Sequence, residues 1–353
     1  MVKLIVHVGH GKTGSSSIQK TLLNARETLE SRKIKYLGLM LEHAGTTPLK
    51  NWQRRTGSDL FFDQVPNETA QSELAEVLHA ELLQLAKDGY THAIWSNEWI
   101  FERPTKILPV LADLATCGYN IEIQVYLRRH DKWAVSAYTQ WGLRHKTYQG
   151  AILPFTEWMR RRGAHFAQYF NLIQPWLDTF QGNLRVMNFD ATGNVTEHFL
   201  RVNEISDIPV LLDNVSPSDA DLLGAVVYNS AKVEQVPTDH FGRIAQLVTR
   251  FDETGSEVPP LDQLMPDAGT LNVLVNERAE DIEKVNALLQ SSGEPPFSFD
   301  SAPRTIKHPS AWEIDRMLLK LVFGLSEELM RLQGEVADLR QRMRNESLDG
   351  VDG

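Results

Sequence analysis

The chain is short of cysteine, of positive charge and of long apolar runs, and each shortage removes a class of function. A single cysteine, Cys117, stands among 353 residues. It excludes an internal disulfide and any cysteine-based metal cluster, and it fits a reducing compartment. With 36 Lys and Arg against 46 Asp and Glu, the formal charge is −10. That is the wrong sign for a general binder of nucleic acid, whose phosphates select basic faces. No run approaches the roughly 18 consecutive apolar residues of a membrane helix. Met1-Val2-Lys3 leads straight into a strand-like run with no signal-peptide layout, so a cytoplasmic protein with no transmembrane segment is expected. No internal repeat of useful length is visible. What is present is 42% apolar residues, enough to bury a sizeable core in one large or two medium domains.

Strand-like runs alternate with helical ones, the pattern of a sheet with crossover helices. Lys3 to Val8 reads as a buried parallel strand, Ser15 to Arg32 as a helix, and Lys35 to Leu37 as a second strand. His43 to Gly57 lacks periodicity and reads as a long loop. Gln71 to Lys87 is helical through its Leu74, Val77, Leu78, Leu82 and Leu85 stripe. Thr91 to Ser96, Ile121 to Leu127 and Leu184 to Phe189 read as further strands. Helices are expected at Leu108 to Thr116, at Asp131 to Leu143, and at Phe155 to Phe180 with a break near Gly163. After these the chain is mainly helical, over Thr196 to Val202, Pro217 to Val233, Asp239 to Phe251 and Leu271 to Leu289. The fold class is α/β: a P-loop-like parallel sheet flanked by helices, with a helical C-terminal part and a terminal coiled-coil-like helix. The expected division is an α/β domain over 1–290, a Pro- and Ser-rich linker over 291–310, a heptad helix over 311–345 and a polar tail over 346–353.

In that last helix Leu318, Val322, Leu325, Leu329, Leu332, Val336, Leu339 and Met343 alternate spacings of four and three. This is the apolar stripe of a coiled-coil seam and implies a partner helix. Gly324 and Gly334 each cost about 1 kcal/mol relative to Ala. The stripe has two outlets: a homodimer through 311–345, or packing on the chain's own domain.

The stretch VGHGKTGSSS, Val8 to Ser17, lies between the first strand and the first helix. Strand, glycine-rich turn and helix together aim backbone N–H groups and the positive end of a helix dipole at one point, which makes an anion site. Gly11-Lys12-Thr13 matches the end of the triphosphate loop G-x-x-x-x-G-K-[ST], but the first glycine would fall at residue 6, which is Val. The order Lys12-Thr13-Gly14-Ser15-Ser16 instead resembles the 5′-phosphosulfate loop of the sulfotransferases. The plain alternative is a helix start in which Ser16 and Gln19 form a capping box and Lys12 is solvated.

A second match follows in YLRRHDKWAVSAY, Tyr126 to Tyr138. Arg128 at a strand end and Ser136 eight residues later on the next helix resemble the pair with which sulfotransferases hold the 3′-phosphate of their donor. A guanidinium fork and a helix hydroxyl suit phosphate oxygens chemically. The likeness spans roughly Val2 to Phe189 and points to bacterial and carbohydrate-directed members. It implies 3′-phosphoadenosine 5′-phosphosulfate as co-substrate, no metal, and transfer of a sulfuryl group to a hydroxyl or amine. By the same likeness Gly11, Lys12, Thr13, Gly14, Ser15 and Ser16 hold the 5′-phosphate, and Lys12 stabilises the leaving group. The general base is a His or Glu near a neighbouring strand end. Glu98, in Ser96-Asn97-Glu98, is the candidate, with His10 as rival and Asp190 read as structural.

Two departures stand out. Ser17 occupies the position where many relatives stack an aromatic residue on adenine, and the C-terminal Arg-Lys-Gly motif is missing. The acceptor is expected to be a glycan, a glycolipid or another small hydroxyl compound. Trp52, Arg54, Arg55, Trp141, Arg144, His145, Lys146 and Arg160 to Arg162 are available to line its cleft, or to be ordinary core and surface residues. A P-loop nucleotide kinase or NTPase, and a non-catalytic dimeric adaptor of the same fold, are the alternatives from other classes.

Overall fold

The apolar run Lys3–His7 forms the central strand β1 of a parallel sheet in the computed structural model. The structure describes residues 2–54, 60–163, 168–211, 219–230, 232–236, 261–299 and 306–315, with further residues between 317 and 339. The expected helix Asp239 to Phe251 and the polar tail lie outside the described residues.

Two compact units are resolved, the first comprising Met1–Ala134, His165–Val215 and Leu271–Pro303. The first unit carries all five strands: β1, β2 (Ile34–Tyr36), β3 (His92–Ser96), β4 (Asn120–Leu127) and β5 (Leu184–Asn188). Their order is β2-β3-β1-β4-β5, with every pair parallel. His7 is level with Ser96 on one side and Gln124 on the other, so β1, β3 and β4 deliver their carboxyl ends to one edge. In open α/β sheets that edge is where ligands bind.

Because strand side chains alternate between faces, Ile5, Ile94, Tyr126 and Met187 share one side of the sheet. There they meet Ile18 and Leu22 of α1 (Ser15–Asn24), Leu29 of α2 (Arg26–Ser31) and Phe199 of α9 (Val195–Val202). The opposite side is covered by α5 (Pro104–Thr116), α8 (Tyr169–Phe180) and α13 (Ala279–Ser291), and α4 (Asn67–Lys87) packs against α5. Covering on both faces explains why the strands read as nearly continuous apolar runs.

Several elements differ from expectation. The first helix is two, interrupted at Ala25. The loop after β2 contains the one-turn helix α3 (Asn51–Arg54) and a π-helical turn at Leu60–Gln64. Leu271 to Leu289 divides into α12 (Ala268–Glu277) and α13, after a short α11 (Leu261–Leu264). Nor is the described start of the expected linker a free tether. Asn188 donates to the carbonyls of Pro295 and Pro296 at 3.1 and 3.2 Å, Arg129 donates to Ser298 O at 2.7 Å, and Phe297 is buried.

The second unit comprises Val135–Ala164, Ser216–Thr270 and Arg304–Gly353. It takes the last residues of α6 (His130–Ala137), a π-helical continuation at Tyr138–Arg144, α7 (Phe155–Arg162) and α10 (Asp219–Ser230). Tyr138 packs on Phe155 and Trp158 with centroids 5.4 Å apart in each case, while Asn229 donates to Leu143 O at 2.6 Å and Arg144 O at 3.0 Å. Among the described residues no helix is long and apolar enough to cross a membrane.

Candidate active site at the carboxyl edge of the sheet

Residues 8–14 turn from β1 into α1 by a backbone that ordinary side chains resist. Lys12 has φ 71° and Gly14 φ 79°, both in the left-handed region, where a Cβ is disfavoured by roughly 1–2 kcal/mol. Gly14 is the N-cap of α1, with no side-chain hydrogen bond capping the helix. A Cβ there would come within 2.4 Å of Val195 Cγ1, so the position admits glycine alone. Thr13 is fully buried, and its hydroxyl donates back to His10 O at 2.5 Å, closing the turn. Its side chain is structural, which leaves only its backbone for a ligand.

The alternative helix start, a capping box of Ser16 and Gln19, does not form. Gln19, its proposed second half, reaches across to β3, where Nε2 donates to Glu98 Oε2 at 2.7 Å and to Ser96 O at 3.3 Å. The helix start is therefore left without a carboxamide or hydroxyl cap, while a carboxylate is held one turn along it. Orphan N–H groups at a helix start are satisfied by side chains, water or ligands, and a left-handed glycine at this place makes a natural anion cradle.

A polar floor lies beneath the turn. His7 Nδ1 and Ser96 Oγ hydrogen-bond at 2.8 Å inside the sheet. His7 Nε2 and Ser15 Oγ are both buried with no hydrogen-bond partner among the described residues, and both lie against Gly9, whose absent Cβ would sit 3.3 Å from His7 Nε2 and 2.5 Å from Ser15 Oγ. Burial lowers the His7 pKa to about 3, so the ring is neutral. His10 is likewise buried and lowered to about 3, first by burial and then by His130. It stacks on Trp133 with centroids 4.4 Å apart and meets Phe101 and Tyr169 edge-on. A ring packed against three aromatic side chains, with its pKa held that low, is a weak base.

The β4 end is tied to the same turn. Trp133 of α6 donates its indole N–H to Gly11 O at 2.7 Å, and Tyr169 donates its hydroxyl to Arg128 O at 2.8 Å. His130 and the Tyr169 and Phe170 N–H groups all meet Asp281, at 2.7, 3.1 and 2.8 Å, and this anchors α6 and α8 to α13. Arg128 lies 5.3 Å from the Phe189 ring centroid, and Phe189 Cε2 is 3.4 Å from the absent Cβ of Gly14. One aromatic wall therefore borders both the turn and the guanidinium.

Arg128 and Arg129 divide their roles sharply. Arg129 is buried, forks onto Asp131 at 2.6 and 2.9 Å, and is a structural cation. Arg128 keeps 26% of its side chain exposed; its Nε makes no hydrogen bond among the described residues but stands in ion-pair range of Asp190 Oδ1, at 3.6 Å. Burial lowers its pKa, with Asp190 acting in the opposite direction. Asp190 itself accepts from Arg129 N–H at 2.8 Å and lies 3.8 Å from Lys132. It serves as a structural hub. Ser136 is half-buried on α6, eight residues along from Arg128.

Of the residues expected to line an acceptor cleft, several are structural. Trp52 is buried and donates to Glu73 at 2.8 Å. Lys146 is fully buried and donates to the carbonyls of Lys232 and Glu234. Arg160 and Arg161 pair with Glu157, and Arg55 lies outside the described residues. The aromatic beside Glu98 went unnoticed in the sequence. Trp99 is 38% exposed, and the Arg103 guanidinium rests over it at 5.0 Å and over Phe62 at 5.6 Å. Gln19, Trp133, Tyr169 and Phe189 were missed as well, since each acts through tertiary contacts that carry no local signature.

Among the described residues no three His, Cys, Asp or Glu side chains cluster so as to hold a metal ion. No family model matches the chain, and no curated protein matches it. Among solved structures it is similar to retinol dehydratase in a complex with retinol and PAP, at 10% sequence identity and a TM-score of 0.27, over 86% of this chain and 83% of that one. Likeness of that degree assigns this chain neither a substrate nor residue roles.

Proposed function

We propose that the chain transfers the sulfuryl group of 3′-phosphoadenosine 5′-phosphosulfate to a hydroxyl or amine acceptor, preferentially on a glycan or glycolipid. The observation that carries this is the pairing of the uncapped Lys12-to-Ser16 turn with Arg128 across Phe189, at adjacent strand ends. The partly exposed Arg128 guanidinium and the Ser15 hydroxyl beneath the turn suit a doubly phosphorylated nucleotide, whereas a triphosphate loop requires a glycine where Val6 stands.

In this mechanism backbone N–H groups from Thr13 to Ser16 hold the 5′-phosphate, while Arg128 and Ser136 hold the 3′-phosphate. Glu98, positioned by Gln19, takes the proton from the acceptor hydroxyl as its oxygen attacks sulfur. The bond from sulfur to the bridging oxygen breaks, and the electron pair leaves with 3′-phosphoadenosine 5′-phosphate. Lys12 stabilises the charge that grows on that oxygen. As in phosphoryl transfer, alignment and charge stabilisation do most of the work. Trp99 offers an exposed ring beside Glu98 for a sugar to stack on.

The test is calorimetry with 3′-phosphoadenosine 5′-phosphate and with ATP plus magnesium, followed by transfer of labelled sulfate to cell-extract glycans. Binding of the first nucleotide alone is expected, and its failure to bind the wild type overturns the proposal. Lys12→Ala is expected to lower transfer by about 10²–10³ while the protein stays folded.

A further inference from the structure

We infer that the exposed stripe of the C-terminal helix joins two copies of this chain as a parallel, in-register two-stranded coiled coil. The described residues between 311 and 339 are helical. Along them Leu318, Val322, Leu329, Leu332, Val336 and Leu339 are 45–59% exposed, and Leu325 is half-buried. Among the described residues these side chains form an exposed apolar row, which favours the first of the two outlets. Several large apolar side chains in one continuous row on a soluble surface mark an interaction face.

The identity of the occupant follows from the positions within the heptad. With Val322 at a, the a positions read Val322, Leu329 and Val336, and the d positions read Leu318, Leu325, Leu332 and Leu339. β-branched residues at a with leucine at d favour two parallel strands. The flanking charges choose the same arrangement. In a parallel pair Glu335 at g of one copy faces Arg340 at e of the other, twice by symmetry, while Glu328 faces the neutral Gln333. In an antiparallel pair Val322 would meet Leu339, which sets Glu328 against Glu335 twice. Like charges there are destabilising. In the heptad count Gly324 takes position c and Gly334 position f, so neither occupies an a or d position, and both weaken the isolated helix. Arg331 at c bridges Glu328 and Glu335 along the same helix, supporting the outer face. The seam is self-complementary, which makes a second copy its natural partner.

The experiment uses the full chain with Cys117→Ser, which removes the only native thiol. Sedimentation equilibrium is expected to give about twice the chain mass of 40.0 kDa, and Leu325→Glu with Leu332→Glu is expected to halve it without changing the circular dichroism of the rest. Gly334→Ala, at a position with open space around the added methyl, is expected to tighten the dimer roughly 20-fold, one helix gain per copy. For orientation, Val322→Cys should cross-link to itself under mild oxidation. A monomeric wild type, as expected if the stripe serves another protein's helix, overturns the inference. Cross-linking only between Val322→Cys and Leu339→Cys chains in a mixture overturns the parallel arrangement. Neither readout depends on nucleotide binding, so the failure of the proposed reaction leaves this test intact.

Discussion

Replacing Arg128 with alanine separates a phosphate-binding cation from a structural one. Its side chain makes one long ion pair, Nε to Asp190 Oδ1 at 3.6 Å, lies 5.3 Å from the Phe189 ring centroid, and is partly exposed. The fold therefore loses little: Asp190 keeps the Arg129 N–H at 2.8 Å and Lys132 at 3.8 Å. A partly exposed pair of that geometry is worth about 1 kcal/mol or less. A charge-assisted hydrogen bond from Arg128 to a 3′-phosphate is worth about 1.5–3 kcal/mol, equivalent to roughly 10–150-fold in Kd. The lower half of that range is expected, because Asp190 already neutralises part of the charge. The assay is calorimetry of 3′-phosphoadenosine 5′-phosphate against adenosine 5′-phosphate, which lacks the 3′ group. Arg128→Ala should weaken the first and leave the second unchanged. Equal weakening of both, or of neither, refutes the assignment, as does loss of the fold.

Glu98→Gln preserves the hydrogen bond with Gln19 in kind but cannot take a proton. It is expected to lower kcat by about 10²–10⁴ with unchanged affinity for the nucleotide, and an unchanged kcat would exclude Glu98 as the base. Gly14→Ala combines a left-handed cost with the 2.4 Å approach to Val195, and it should destabilise the protein by about 2–5 kcal/mol in urea unfolding. A loss below the lower figure would mean that the turn relaxes. Mild acid should destabilise the chain through His7 and His10, whose folded pKa values near 3 lie below the ordinary 6.5. Between those values the unfolded state binds the extra protons, so stability is complete above pH 6.5 and falls as pH drops toward 3. Each histidine contributes about 2 kcal/mol of loss between pH 7 and 5. His10→Phe, which keeps the stacking on Trp133, should remove about half of that pH dependence, and an unaltered slope would disprove the assignment.

The sheet was legible because its strands are buried on both faces and read as apolar runs. Helix starts were less so. Pro104 opens α5 four residues before the expected Leu108, since a proline can occupy the first helical turn. Ala25 ends α1 without any glycine or proline to announce it. At the turn, the glycines and the lysine stand in contiguous sequence, so a candidate anion site could be read from them. Its supports could not, because Trp133 meets Gly11 and Tyr169 meets Arg128 over separations that no local pattern encodes. The same limit explains the false candidates. Lys146 and Trp52 have the chemistry of ligand contacts, but tertiary burial commits them to backbone carbonyls and to Glu73.

How a chain of charge −10 would attract a trianionic or tetraanionic donor is a matter of distance. Surface carboxylates farther away than about 8–10 Å are screened by physiological salt, so the local arrangement decides. There the two histidines nearest the turn are neutral, and Arg129 is consumed by Asp131. Lys12 and Arg128 both stand half-buried near this edge, where their charges are weakly screened. Protonating either buried histidine would add a positive charge beneath the donor, but only after the fold had lost the stability that its neutral form supplies. The site therefore draws its positive potential from side chains that stay charged across the physiological range, and uses neutral imidazoles for packing and hydrogen bonding.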